Sequence, residues 1–194
     1  MKKIRLVLSI VMVLYVLVAC GASAQNEVKH YTVEAKGVWF DTLEEMENYS
    51  ELIVRVKRLD QEEAMITTVN GRMVSGFTFS QVEIKEIYQD TAERYSIGDT
   101  ITILENEVYD EKENIVYHIG GYNMMEVGKE YLLFLDYSIT NGMEYYVASG
   151  VELGTISLES DNRQRTYANQ LGEEIGDYSV FQDMWEEALE KYIK

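Results

Sequence analysis

Residues 131–148, which read YLLFLDYSITNGMEYYVA, decide the fold class of this chain. The first five are continuously apolar, a pattern typical of a strand that is covered on both faces. The pair Asn141-Gly142 predicts a tight hairpin turn into a second strand, Met143–Ala148. Because neighbouring side chains of a strand point to opposite faces, one of Tyr145 and Tyr146 is expected to face the core and the other solvent.

Outward from this hairpin, the chain contains several more segments with strand patterns. The long segment 76–88 changes phase between Phe79 and Val82, which predicts a β-bulge near Ser80-Gln81. Residues 30–40 form either a leading strand or an ordered arm, and Gly120-Gly121 predicts a turn. The predicted strands are 52–57, 64–69, 76–88, 100–104, 115–119 and 154–158, with a further strand candidate at 163–168.

Two capping boxes predict one helix near each end of the folded region. Thr42 and Glu45 fit the S/T-x-x-E pattern, with Asp41 as a competing cap, and Ser179 and Gln182 fit the same pattern further on. The C-terminal helix is amphipathic, because its apolar residues recur at three- and four-residue spacing. That stripe is expected to pack on the strands; it contains Val180, Phe181, Met184, Trp185, Ala188, Leu189 and Tyr192.

Many short strands punctuated by turns indicate a mainly β protein with flanking helices (α+β), built on a small antiparallel OB-like β-barrel. Four motifs follow one another: SELIVRV (50–56), the long strand around 77–87, GDTITI (98–103) and VGKEYLLFL (127–135). In these residues the chain resembles uncharacterised exported proteins of Gram-positive bacteria. It is also similar to the OB-type barrel of netrin-like and metalloprotease-inhibitor domains. Motifs of this structural kind imply a fold and no particular activity.

The first 19 residues have the pattern of a secretory signal peptide: Lys2, Lys3 and Arg5 are followed by an apolar stretch. Residues 17–20, Leu-Val-Ala-Cys, resemble the lipobox of bacterial lipoproteins. This implies cleavage before Cys20 and a diacylglyceryl group on its thiol, and two or three acyl chains make a stable membrane anchor. The alternative is an uncleaved transmembrane anchor, although the apolar stretch is short for a membrane span.

These assignments divide the chain into three parts. Residues 1–19 are the predicted lipoprotein signal peptide, residues 20–29 the lipidated tether, and residues 30–194 a single OB-like barrel domain with a C-terminal helix. The formal net charge is −17, and loss of the three basic residues of the signal peptide leaves −20. So acidic a domain repels phosphate backbones, which excludes nucleic acid as a partner.

Residue patterns of catalytic or metal chemistry are scarce. The two histidines, His30 and His118, are far apart in the chain, and Cys20 is the only cysteine, so no zinc site is expected. There is no G-x-S-x-G, P-loop or G-x-G-x-x-G motif. The acidic segment 105–114 offers oxygen ligands for Ca²⁺ but lacks the usual spacing, and a solvated loop is the favoured interpretation. No catalytic residue, metal ligand or cofactor is assigned, apart from the lipid on Cys20.

The sequence favours a non-enzymatic binding or interaction module, held by Cys20 on the extracytoplasmic face of the cell membrane. Its partner would be an envelope protein, a wall glycan or a small ligand, and no ligand-binding residue can be named. The alternative is an envelope enzyme or a calcium-dependent factor with an unrecognised acidic site. A purely structural envelope protein is the third reading.

Overall fold

The structure, a computed structural model, describes residues 27–61, 64–70, 72–159 and 179–194. The predicted signal peptide, Cys20 and the strand candidate at 163–168 lie outside the described residues. Within them the protein is mainly β with two helices, as the α+β class predicts. The strands are β1 (Lys29–Val33), β2 (Leu52–Gln61), β3 (Met65–Val69), β4 (Arg72–Asp90), β5 (Thr100–Glu105), β6 (Glu107–Asp110), β7 (Ile115–Ile119), β8 (Glu130–Thr140), β9 (Met143–Ala148) and β10 (Thr155–Ser157), and the helices are α1 (Leu43–Tyr49) and α2 (Ser179–Tyr192).

Strand β8 lies at the centre of the larger sheet, as its apolar run predicts. Residues 132–135 are fully buried and Tyr131 is 6% exposed. Strand β8 pairs antiparallel with β2, β9 and β10. Strand β2 also pairs with β4, β4 pairs with β5, and β5 runs parallel to β9. Five strands therefore each pair with two others of the same set: β2, β4, β5, β8 and β9. Strand β3 pairs with the first part of β4 as an antiparallel hairpin.

The turn between β8 and β9 is the hairpin that the sequence predicts. Asn141 and Gly142 have φ values of 52° and 82°, the left-handed values that a type I′ turn requires. Tyr146 faces the core and is 4% exposed. Tyr145 lies on the outer face, where its ring centroid is 5.3 Å from that of Phe79.

The irregularity predicted near Ser80-Gln81 of β4 occurs in its pairing with β2, but the extra residue there is Leu59 of β2 and not a residue of β4. Strand β4 keeps its alternation there and pairs regularly with β5 from residue 78 to residue 83. The register shifts against β2 instead place the extra residues at Leu59 on β2 and at Lys85 and Tyr88 on β4. The sequence pattern misled because the apolar Phe79 lies on the outer face beneath Tyr145, while the small polar Ser80 faces the interior.

The acidic segment 105–114 is not a solvated loop, because it contains all of strand β6 and the last residue of β5. Strands β6 and β7 form an antiparallel hairpin, and β1 joins β7 in parallel to complete a three-stranded sheet. The periodicity was too weak to indicate a strand, since among the residues of β6 only Val108 is buried. Residues 29–33 are thus a leading strand, and residues 34–42 are the arm that follows it.

Two buried apolar clusters lie on opposite faces of the larger sheet. On β2, Val54 belongs to the first cluster and Ile53 to the second. On β8, Leu133 likewise belongs to the first cluster, and Phe134 to the second. The first cluster is enclosed by strands, while the second is covered by the arm, α1 and α2.

The two helices begin and pack largely as predicted. Thr42 caps α1, because its side chain accepts a hydrogen bond from the Glu45 N–H at 3.2 Å. Helix α2 begins at Ser179 and packs on the sheet through the buried Met184 and Ala188, which confirms the docking of its apolar stripe. The structure does not describe the side chain of Ser179, so the second capping box stays a prediction. Neither helix has the length and apolar character to cross a membrane, over the part of the chain that is described.

Candidate functional site

A groove lined by aromatic rings runs between the arm after β1 and helix α2. Trp39 of the arm, Phe181 and Trp185 of α2, and the turn at residues 149–154 contribute to its walls. The Trp39 ring stacks on the Phe181 ring with centroids 5.6 Å apart, yet Trp39 remains 57% exposed. The Trp185 Nε1–H donates a hydrogen bond to the Leu153 carbonyl at 3.0 Å. We call this surface the aromatic groove.

The turn at residues 149–154 has an uncommon backbone conformation. Gly150 and Val151 have φ values of 68° and 61°, and this left-handed region costs a β-branched residue about 1–3 kcal/mol. Gly154 is required, because a Cβ there would lie 2.6 Å from the Ser149 carbonyl oxygen. Strain of this kind persists only where the surroundings impose it, and it is frequent at ligand sites. Here it places Val151 and Glu152 in the lining of the aromatic groove.

Glycines allow the arm to lie close against the turns that form the groove. A Cβ on Gly37 would lie 2.9 Å from Val151 Cγ2, and one on Gly120 would lie 3.1 Å from Ala35 Cβ. Gly120 and Gly121 have φ values of 66° and 77°, so this pair serves turn geometry as the sequence predicts. Larger residues at these positions would push the arm away and widen the groove.

The side chain of Glu152 lines the groove and is nearly buried, with the residue 9% exposed. Burial raises the pKa of Glu152 to about 8, although Asn123 and His118 act in the opposite direction. Among the described residues, the hydrogen bond it accepts comes from Asn123 Nδ2, at a long 3.5 Å. Near neutral pH this carboxyl is therefore mostly protonated and can both donate and accept a hydrogen bond.

His118 connects this region to the protein surface. Its Nδ1 lies 2.9 Å from Glu107 Oε2 and 3.0 Å from the Tyr122 carbonyl oxygen, while its Nε2 lies 2.9 Å from Nδ1 of the exposed His30. Burial lowers the pKa of His118, but the hydrogen bond and the charge of Glu107 outweigh burial and raise the pKa above its usual value. His30 and His118 lie far apart in the chain, and the parallel pairing of β1 with β7 brings their rings into contact.

A second buried polar cluster is formed by residues of β2, β4 and β5 together with the segment before β8. Arg58 Nη2 lies 3.2 Å from Glu105 Oε1, and their side chains are 3% and 0% exposed. Ser80 Oγ donates to the same carboxylate, and the Met125 N–H and the Tyr122 hydroxyl donate to it at 2.7 Å and 3.2 Å. Burial raises the pKa of Glu105, and these partners act against that shift. The cluster is shielded from solvent, so its role is structural.

The acidic residues of segment 105–114 point in different directions. Glu105 is paired with Arg58, and Glu107 accepts from the Met124 N–H at 3.2 Å as well as contacting His118. Asp110 Oδ1 accepts backbone N–H groups of its own turn. Across residues 27–61, 64–70, 72–159 and 179–194, no group of three or more His, Cys, Asp or Glu side chains could hold a metal ion.

No protein-family profile matches the chain, and no curated protein is significantly similar to it. The site must therefore be interpreted from its own residues. Sequence reasoning assigned Phe181 and Trp185 to the core, and both do pack there, but the same rings also line the groove. The sequence did not indicate Glu152 as a site residue, because nothing in the pattern Val-Glu-Leu distinguishes it from other acidic residues.

Proposed function

We propose that the mature chain is a lipid-anchored binding module of the cell envelope, built on an OB-like barrel, which holds its ligand in the aromatic groove. The proposal depends on one juxtaposition: the buried residue Glu152 lines the same groove as Trp39 and Trp185. Ligand sites are typically concave and largely apolar, with a few polar groups that orient the ligand. The aromatic groove has this composition.

Strand pairing supports the OB-like barrel. From β2 the pairings run through β4, β5, β9 and β8 and return to β2. The contact between β5 and β9 is parallel and short, with the two residue pairs Ile103–Tyr146 and Leu104–Val147. A five-stranded, partly open Greek-key barrel is the OB architecture.

The N-terminal residues support the anchor. The lipobox ends at Cys20, and β1 begins nine residues later at Lys29. A tether of that length spans at most about 30 Å when fully extended. Because the arm that walls the groove follows β1 directly, a lipid on Cys20 would keep the groove near the membrane surface. The ligand would then be a component of the membrane or of the adjoining cell wall.

An envelope enzyme is the second candidate, and the chain Glu107–His118–His30 favours it. A carboxylate that orients an imidazole is a common device for making a general base, and His30 is exposed at the outer end of this chain. Binding is the better-supported function, because a binding groove accounts for the positions of Glu152 and both tryptophans. The scattered acids of segment 105–114 give no support to a calcium-dependent factor.

Photo-crosslinking in living host cells tests the proposed function. Val38 lines the groove and is 45% exposed, while Ile97 is 69% exposed outside it. A photoreactive amino acid at position 38 should give a defined adduct, detected as a discrete mass shift, and the same group at position 97 should not. The adduct should weaken when Glu152→Gln is added. Equal labelling from both positions, or no adduct from position 38, would refute binding in the groove.

A further inference from the structure

We propose that the ligand of the aromatic groove carries an organic ammonium group, held between the exposed face of Trp39 and the carboxylate of Glu152. This inference rests on the proposed function, and it assigns the chemical class of the ligand. One face of the Trp39 ring stacks on Phe181, yet the residue is 57% exposed, which leaves aromatic surface for a ligand. Cations are attracted to the faces of aromatic rings, and most strongly to tryptophan.

The polarity of the groove favours an ammonium ion over a sugar. Glu152 is the one charged side chain among the described residues of its lining, and the rest are aromatic, aliphatic or glycine. The Trp185 Nε1–H is already bonded to the Leu153 carbonyl. A polyhydroxyl ligand requires several donors and acceptors, because each unpaired polar group that it buries is costly. A single carboxylate among aromatic rings instead matches one positive charge.

Charge around Glu152 supports the same conclusion. The titratable group that faces it is His118 of β7, with Glu107 of β6 behind that imidazole. Among the residues that the structure describes, the lining brings no lysine or arginine to Glu152. Burial outweighs the charge of His118, so in the empty groove Glu152 holds its proton. An entering ammonium ion adds a positive charge beside the carboxyl, whereupon the carboxyl ionises and its proton passes to solvent.

Two measurable properties follow from this exchange. First, binding should release close to one proton near neutral pH. Second, affinity should rise with pH, by up to about tenfold per pH unit, until Glu152 is ionised in the free protein. A neutral ligand of the same shape should show neither property.

Isothermal titration calorimetry on the intact lipoprotein in non-ionic detergent tests the inference. The probes are choline, ethanolamine and 3,3-dimethyl-1-butanol, which is the neutral isostere of choline. At least one ammonium probe should bind on the order of tenfold more tightly than the isostere. Titrations in two buffers of different ionisation enthalpy should reveal the released proton.

Glu152→Gln should abolish both the preference for ammonium and the proton release, since glutamine copies the shape of the neutral carboxyl. Glu144→Gln, which removes the same charge from the exposed start of β9, should preserve both. If neither ammonium probe binds better than the isostere, the inference is overturned. Binding of the isostere alone would leave the groove as a ligand site, whereas loss of the crosslink at position 38 would remove the proposed function itself.

Discussion

Glu152 is one of 34 acidic residues, and its unusual properties come from the burial that the turn at residues 149–154 imposes. Its pKa is about 8 in the folded protein, against an ordinary value of 4.5. Between these values the unfolded chain has lost a proton that the folded chain keeps. The free energy of unfolding therefore falls as pH rises, by at most about 1.4 kcal/mol per pH unit from this residue.

We predict that Glu152→Gln makes the free energy of unfolding less dependent on pH between about 4.5 and 8. Urea denaturation at each pH measures this, with Glu144→Gln as the control that keeps the wild-type slope. His118 also contributes stability that is lost as pH rises through its raised pKa, so the comparison between variants isolates Glu152. A slope unchanged by Glu152→Gln would show that the carboxyl is not buried as described.

The ion pair between Arg58 and Glu105 gives a prediction about a buried carboxylate that keeps its charge. Glu105→Gln leaves a buried guanidinium without its counter-charge, which typically costs about 3–5 kcal/mol. The double variant Arg58→Met/Glu105→Leu removes both charges and should be clearly more stable than Glu105→Gln alone. Urea melts of the three proteins measure this. Wild-type stability in Glu105→Gln would contradict the buried pair.

At the scale of elements, β8 is the strand on which both cores depend. Leu133 and Phe134 are fully buried on its two faces. We predict that Leu133→Ala and Phe134→Ala each lower the free energy of unfolding by about 2–5 kcal/mol, the range for large-to-small core substitutions. Ile139 lies on the same strand but is 57% exposed, so Ile139→Ala should have little effect. Equal changes in melting temperature for all three variants would show that β8 is not buried in this way.

The elements that the sequence predicts well are those encoded locally. The apolar run of β8 and the pair Asn141-Gly142 specify a hairpin within 18 consecutive residues, and the structure has it. Strand β6 was missed because two of its four residues are acidic and only Val108 is buried. The bulge in β4 was misplaced because Phe79 is buried by Tyr145 on the outer face rather than inside the sheet.

The candidate site was beyond sequence reasoning for a different reason: its parts come from distant segments. The rings of Trp39 and Phe181 stack on each other although most of the chain separates the two residues in sequence. His30 contacts His118 because β1 pairs with β7 in parallel. No periodicity or motif encodes such contacts. Glu152 becomes unusual only once the arm, the turn and α2 have enclosed it.

At the scale of the whole molecule, the strongly acidic domain and the proposed anchor are complementary. The formal net charge of −17 repels anionic lipid surfaces, so the proposed membrane attachment depends on the lipid on Cys20. We predict that Cys20→Ser abolishes lipid attachment and cleavage before residue 20. Metabolic labelling with a tagged fatty acid measures the first effect and the mass of the mature protein the second. Equal labelling of the variant and the wild type would refute the lipoprotein assignment.

Binding of a cell-envelope ligand in the aromatic groove can be followed by ¹⁹F NMR. The chain has two tryptophans, so 5-fluorotryptophan gives two resonances, which Trp185→Phe assigns. On addition of solubilised envelope from the native host, the account predicts that the Trp39 resonance shifts and becomes protected from a soluble paramagnetic reagent. Glu152→Gln should weaken that response. A Trp39 resonance with the same shift and the same accessibility before and after the addition would contradict the account.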